Sequence, residues 1–256
     1  MDTARIAALL EPFLEPSLPP SQLDQISTYI DLLLRWNARI NLTAIRHPEE
    51  IVTRHFGESF FLARHLFPSP AKHCHPDPEL AEGEGPAFCL ASRPPQGVLT
   101  AGAPLIAHSA TRGTPSHPPR VLDIGSGAGF PALPLKIWAP HIHLTLVESN
   151  HKKAAFLREV ARALTLTDID VISDRAEILA ARPGCPQADI VTLRAVERFN
   201  TILPQAVTFL APNATLALLI GAAQIPRLAT LTTLKWHPPI PVPQSHTRVL
   251  SIGIHG

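Results

Sequence analysis

Residues 121–130, VLDIGSGAGF, constrain this chain more than any other stretch. A short run of strand character meets three glycines at alternate positions, and a helix-forming run at 133–139 follows. Glycine tolerates the left-handed backbone that a tight strand-to-helix turn demands. It also lets main-chain amides approach a ligand at the helix N-terminus, where the peptide dipoles favour a negative group. A second buried-strand signal lies at 144–148, and Asn150 then opens a helix with Phe156, Leu157, Val160 and Leu164 on its inner face. Residues 170–172, 190–193, 215–220 and 249–254 supply further strands. Strands separated by helices of this length predict a doubly wound α/β domain over 120–256, its parallel sheet covered on both faces.

The glycine spacing bears on the ligand. Dinucleotide folds use GxGxxG, whose last glycine packs the helix on the strand. Here that position is Phe130, and the pattern is DxGxGxG, carried by Asp123, Gly125, Gly127 and Gly129. Glu148 ends the second strand, where a carboxylate can accept both ribose hydroxyls of an adenosine. Together these residues point to S-adenosylmethionine rather than NAD. Asp123 is expected to orient the turn or to meet the cofactor's amino group through water. Asp174, Ala176 and Glu177, just past the third strand, are placed to flank the adenine. Plain alternatives stand beside this reading: a purely structural turn, and for Glu177 a solvated charge at a helix start.

Residues 1–67 read as helical. Leu23, Ile26, Ile30, Leu33 and Ile40 keep helical spacing, and Ser21 with Asp24, just after two prolines, makes a helix start. Asn41, Leu42 and Thr43 form a break. Pro48, Glu49 and Glu50 suit the first turn of a second long helix carrying Ile51, His55, Ser59 and Leu62 on one side. Residues 68–119 differ, holding 11 of the chain's 28 prolines with glycines between them. No period survives there, which predicts an irregular insertion that a folded core tolerates at little entropic cost.

Composition excludes several classes. A net charge of +1 argues against a strongly basic nucleic-acid coat but leaves room for a local basic face. Cys74, Cys89 and Cys185 are too few and too scattered for a disulfide framework or a closed zinc site, so no metal is expected. Residues 1–16 carry acidic side chains and are broken at Pro12, unlike a secretory signal, and no apolar run reaches membrane-spanning length. A soluble cytoplasmic protein with no membrane partner is the expectation.

Residues 36–60 (WNARINLTAIRHPEEIVTRHFGESF), the glycine segment VLDIGSGAGFPALPLKI and the later LRAVERF at 193–199 are specific together. In these segments the chain resembles the RsmG/GidB family, bacterial methyltransferases of guanine N7 in 16S rRNA. The resemblance covers nearly everything outside 68–119. It implies a class I, S-adenosylmethionine-dependent methyltransferase with a Rossmann-like seven-stranded sheet and an N-terminal helical region. It also implies cofactor contacts at Gly125, Phe130, Ala176, Glu177 and Arg194, and 16S rRNA or the small ribosomal subunit as partner. One departure stands out: where the family usually has a lysine before the glycine ending the fifth strand, this chain has Ile220 before Gly221.

The remaining residues suit that acceptor. Methylation of a ring carbon needs a cysteine nucleophile near the end of the fourth strand, and the usual exocyclic-amine enzymes carry an Asn/Asp-Pro-Pro-aromatic tetrad there. This chain has Leu193, Arg194, Ala195 and Val196 instead. Guanine N7 offers an in-plane lone pair, so no catalytic base is expected, and Arg194 is the nearest candidate at the transfer point. Arg194 could hold the cofactor carboxylate, guanine O6 or a phosphate, or form a structural salt bridge. Arg35, Arg39, Arg46 and Arg54 around Trp36, with Lys136, Lys152, Lys153, Arg158 and Arg162, are candidates for phosphate contact. Trp36 itself suits helix packing better than base stacking. Methylation of another acceptor and a non-catalytic RNA-binding relic of the fold are the competing functions.

Overall fold

The computed structural model describes residues 1–68, 117–194 and 199–256. The expected insertion therefore lies almost wholly outside the described residues, and so do residues 195–198 of the LRAVERF segment. An eight-stranded sheet holds the fold together. Its strands are β1 (Arg120–Ile124), β2 (His143–Val147), β3 (Ile169–Ile172), β4 (Ala188–Arg194), β5 (Leu210–Gly221), β6 (Leu234–Trp236), β7 (Ile240–Pro241) and β8 (Arg248–His255). The order is β3-β2-β1-β4-β5-β8-β6, with β7 also paired to β8.

Strands β1 to β5 pair in parallel, as the α/β pattern predicts. The far side corrects the all-parallel expectation. Strand β8 runs antiparallel to β5, and β6 and β7 run antiparallel to β8. A parallel return needs a crossover helix, and Pro238, Pro239, Pro241 and Pro243 forbid one in that connection. The chain comes back instead through the short edge strands β6 and β7, which sequence periodicity did not reveal, and then β8.

Side chains alternate across the sheet with period two, so each strand feeds two cores. On one face Val121, Leu144, Leu146, Ile190, Ala217, Leu219, Leu250 and Ile252 are buried. Helices α5 (Ala132–Trp138) and α6 (His151–Ala163) cover them together with the N-terminal helices. Those are α1 (Thr3–Leu10), α2 (Pro20–Asn37) and α4 (Glu58–Leu66), so the helical region shares the sheet's core, while the short α3 (Pro48–Glu50) buries no side chain. On the other face Leu122, Ile124, Val191, Leu193, Leu216, Leu218 and Ile220 pack under α7 (Ala176–Ala180), α8 (Phe199–Thr208) and a 3-10 segment, Ala222–Thr230. The buried Ile220 side chain supplies no charge to the surface at the family's lysine position.

Two local expectations are corrected. Helix α2 begins at Pro20, with Pro19 extended at the cap position and no side-chain cap from Ser21 or Asp24. Proline at the first helical position has no N–H to lose and a preset φ, which makes a serine cap unnecessary. The second long helix is interrupted: between α3 and α4 the chain widens into a π-helix over Ile51–Gly57. Such wide turns often occur at functional sites.

Candidate functional site

Strands β1 to β4 deliver their C-terminal ends to one edge of the sheet. From β1 the chain passes to β2 on one side, whereas β4 leads to β5 on the other. This reversal is the switch point at which open α/β sheets bind ligands. Gly125, Gly127 and Gly129 follow β1 with φ of 70°, 54° and 87°. These left-handed values explain the spacing of the motif. The amides of Gly125 and Ser126 donate to Val147 O at 2.9 and 3.2 Å, tying the turn to the end of β2. A Cβ added at Gly125 would meet nothing within 4 Å, and one at Gly127 would meet only Gly125 O at 3.7 Å. The turn therefore borders a cradle that side chains would fill.

Glu148 forms the opposite rim. Its buried carboxylate accepts from Gly127 N at 2.8 Å and from Asn150 N at 2.8 Å. Each oxygen keeps a further lone pair for a ligand hydroxyl. Asp123 is buried beneath the turn. Its Oδ1 accepts from Thr192 Oγ1 of β4 at 2.6 Å, while Oδ2 has no partner among the described residues. Burial pushes this carboxyl up to about 6, against the pull of Thr192 and Ser126. An orphaned acceptor, an open cradle and a facing carboxylate fit an adenosine-bearing methyl donor.

The Phe130 side chain is buried against the helical region. Its ring stacks on His55 at 4.6 Å and on Tyr29 at 5.3 Å, and Tyr29 Oη donates to Ala128 O at 2.5 Å. The side chain thus fastens the helical region to the turn. Ala176 is buried at the start of α7. The Glu177 side chain is 44% exposed, with Arg175 Nη1 at 4.0 Å. Asp174 accepts from Arg175 N at 2.7 Å and pairs with Arg182.

Arg194, at the end of β4, is in the salt bridge that sequence reasoning held as an alternative. Its Nη2 donates to Arg54 O at 2.5 Å and to Glu58 Oε2 at 3.0 Å, while Nη1 is buried without a partner among the described residues. The side chains of Arg194 and Glu58 are 6% and 3% exposed. Glu58 Oε1 also holds Arg248 Nη2 at 3.1 Å. Glu58, Arg248 and Tyr29 were missed at the level of sequence, because no spacing links residues that far apart. Lys136 must be removed from the phosphate candidates, since its buried Nζ donates to Pro140 O and Ile142 O at 2.8 and 2.5 Å. Arg35, Arg39, Arg46 and Lys152 are exposed. Trp36 is half-buried with its ring against Phe156 at 5.7 Å.

His55 makes folding stability depend on pH. Its Nε2 lies 2.8 Å from Thr43 Oγ1, and burial beside Arg194, Arg248 and Arg54 pushes the imidazole down to about 2. A folded value below the ordinary 6.5 means that the neutral ring's contribution is complete above pH 6.5 and lost as pH falls toward 2. Asp123 runs the other way, because a raised carboxyl favours the folded state as pH falls from 6 through 3.8. His55→Phe is expected to flatten the loss of stability on the acid side. Urea unfolding at about pH 7 and about pH 5 measures it, and an unchanged drop in the variant would refute the assignment.

The GidB family, described as rRNA small subunit methyltransferase G, matches residues 22–72 and 106–234, more than half of the chain. The chain belongs to the GidB family. A ribosomal RNA small subunit methyltransferase G of Roseiflexus castenholzii is 36% identical over 187 residues, 73% of this chain and 59% of that relative. One of Bacillus cereus is 30% identical over 227 residues, 87% of this chain and 74% of the relative. The chain thus spans about three fifths of the length of some of the GidB relatives it matches. Among solved structures, a SAM-dependent methyltransferase from Aquifex aeolicus aligns with a TM-score of 0.45 at 13% identity, covering 55% of this chain and 84% of that one. Among the described residues no group of three or more His, Cys, Asp or Glu could hold a metal, and no helix is long and apolar enough to cross a membrane.

Proposed function

We propose that this chain transfers a methyl group from S-adenosylmethionine to N7 of a guanine in 16S rRNA, acting in the cytoplasm on the RNA or the small ribosomal subunit. The observation that carries the reading is the Gly127–Glu148 hydrogen bond, which joins the turn after β1 and the carboxylate after β2 into one rim in a chain of the GidB family. Gly125, Gly127 and Gly129 would cradle the donor, and Glu148 would accept its ribose hydroxyls. Asp123 Oδ2 would take a polar hydrogen, directly or through water. Ala176 and Glu177 would flank the adenine, Phe130 would contribute main chain, and Arg194 would face the transfer point.

When bound, the donor's sulfonium supplies the methyl group for an in-line displacement. The chain's own work is alignment, worth about 7–11 kcal/mol against a bimolecular encounter. N7 carries its lone pair in the ring plane, so no side chain has to remove a proton before attack. Arg194 cannot fork across O6 and N7, because that would occupy the reacting pair.

Incubating the chain with methyl-labelled donor and either naked 16S rRNA or isolated small subunits tests the proposal. Label recovered as N7-methylguanine by mass spectrometry is expected, and label in protein or metabolites alone would overturn it. Gly127→Val is expected to abolish donor binding by filling the cradle. Its strain at positive φ should cost only about 1–2 kcal/mol of stability. Calorimetry showing wild-type affinity in this variant would remove the turn from the site.

A further inference from the structure

We propose that Arg194 and Arg248, held side by side by Glu58, form a two-armed fork for one oxyanion at the edge where the glycine turn opens. The anion is the carboxylate of the methyl donor or a phosphodiester of the RNA. This inference rests on the function proposed above and adds Arg248, positioned by Glu58, to Arg194 of the same site.

Sheet register places the arms. Arg194 of β4 pairs with Leu219 of β5, and Gly221 of β5 pairs with Arg248 of β8. The two arginines therefore stand on either side of β5, at the edge where β4 and β5 end. Glu58 reaches them from α4, with Oε2 3.0 Å from Arg194 Nη2 and Oε1 3.1 Å from Arg248 Nη2. Two guanidiniums share one carboxylate. The third nearby, Arg54, pairs with Glu50 at 3.1 Å, and Asp123 bonds Thr192 rather than either arm.

The arrangement is incomplete as it stands. Arg194 Nη1 is buried with no partner among the described residues, while Arg248 keeps 21% of its side chain exposed. An unpaired buried donor is costly, and planar guanidiniums match carboxylate and phosphate oxygens in two-point contacts. Burial also holds the Arg194 guanidinium down to about 10, as expected of a cation whose charge is only partly offset. Glu58 is a positioning residue: it touches the arginines, and they would touch the anion.

The test compares the full chain with Arg248→Ala, Arg248→Lys and Glu58→Gln by calorimetry. The probes are S-adenosylhomocysteine, 5′-methylthioadenosine, which lacks the amino-acid carboxylate, and a 16S rRNA fragment. Arg248→Ala is expected to weaken one anionic probe by about tenfold to hundredfold and to leave 5′-methylthioadenosine unchanged. Loss on S-adenosylhomocysteine assigns the carboxylate. Loss on RNA, with a salt slope smaller by about one, assigns the phosphate. Arg248→Lys should recover part of the loss, and Glu58→Gln should weaken the same probe. Wild-type binding of both anionic probes by Arg248→Ala would overturn the fork, as would an equal loss on all three probes. A wild-type chain that binds none of them would overturn the proposed function itself, whatever the variants do.

Discussion

Replacing Glu58 by alanine should cost about 3–5 kcal/mol of folding stability, the range found when one partner of a buried ion pair is removed. Glu58 is 3% exposed and carries two guanidiniums on its two oxygens, so its loss strands both. Burial raises its carboxyl and the three arginines around it pull it down. Arg194 suffers more than Arg248, because only Arg248 can recover solvent contact through its exposed fifth. Urea unfolding measures the loss, and about 1 M salt should leave most of it in place, since buried pairs are weakly screened. Arg248→Ala, which leaves the Glu58–Arg194 pair intact, should cost clearly less. A Glu58→Ala penalty below about 1 kcal/mol, the range of exposed pairs, would show that the cluster is open to water.

Gly129→Ala should destabilise the fold by about 2–5 kcal/mol, the sum of positive-φ strain and overpacking. At φ 87° an added Cβ would lie 2.6 Å from Leu133 Cδ1 and 3.1 Å from Leu133 Cγ, and closer still to the Tyr29 hydroxyl. Neither neighbour can give way. Leu133 is fully buried in α5, and Tyr29 is fully buried with its hydroxyl committed to Ala128 O. Gly184→Ala is the matched control. It has φ 75° but nothing within 4 Å of its Cβ, so it should show the strain alone, about 1–2 kcal/mol. Adding Tyr29→Phe to Gly129→Ala should recover part of the loss by removing the hydroxyl. Equal costs at Gly129 and Gly184 would show that the contacts with Leu133 and Tyr29 carry no energy.

These two positions differ in how far the sequence could reveal them. Gly129 belongs to a local pattern: three glycines at alternate positions after a buried strand are enough to announce left-handed backbone. What the pattern does not tell is that Gly129 also makes room for Tyr29, far back in the chain. Glu58 is wholly illegible, being one acidic residue in a helix whose second arginine partner opens a strand almost at the end of the chain. Lys136 misled for the same reason. Its charge marks it for the surface, yet two carbonyls at the end of α5 draw it inward.

The apolar runs of the buried strands β1, β2, β4 and β5, the helical stripes of α2 and α6, and the glycine turn with Glu148 beyond it were all written in residue order. Each is a local preference, set by neighbours within a few positions along the chain. The antiparallel return of β8, the stacking of Phe130 on Tyr29 and His55, and the sharing of Glu58 by Arg194 and Arg248 were decided by tertiary structure. These depend on which strands become neighbours and on which buried charge is within reach of another. Side-chain spacing along the chain carries no measure of either.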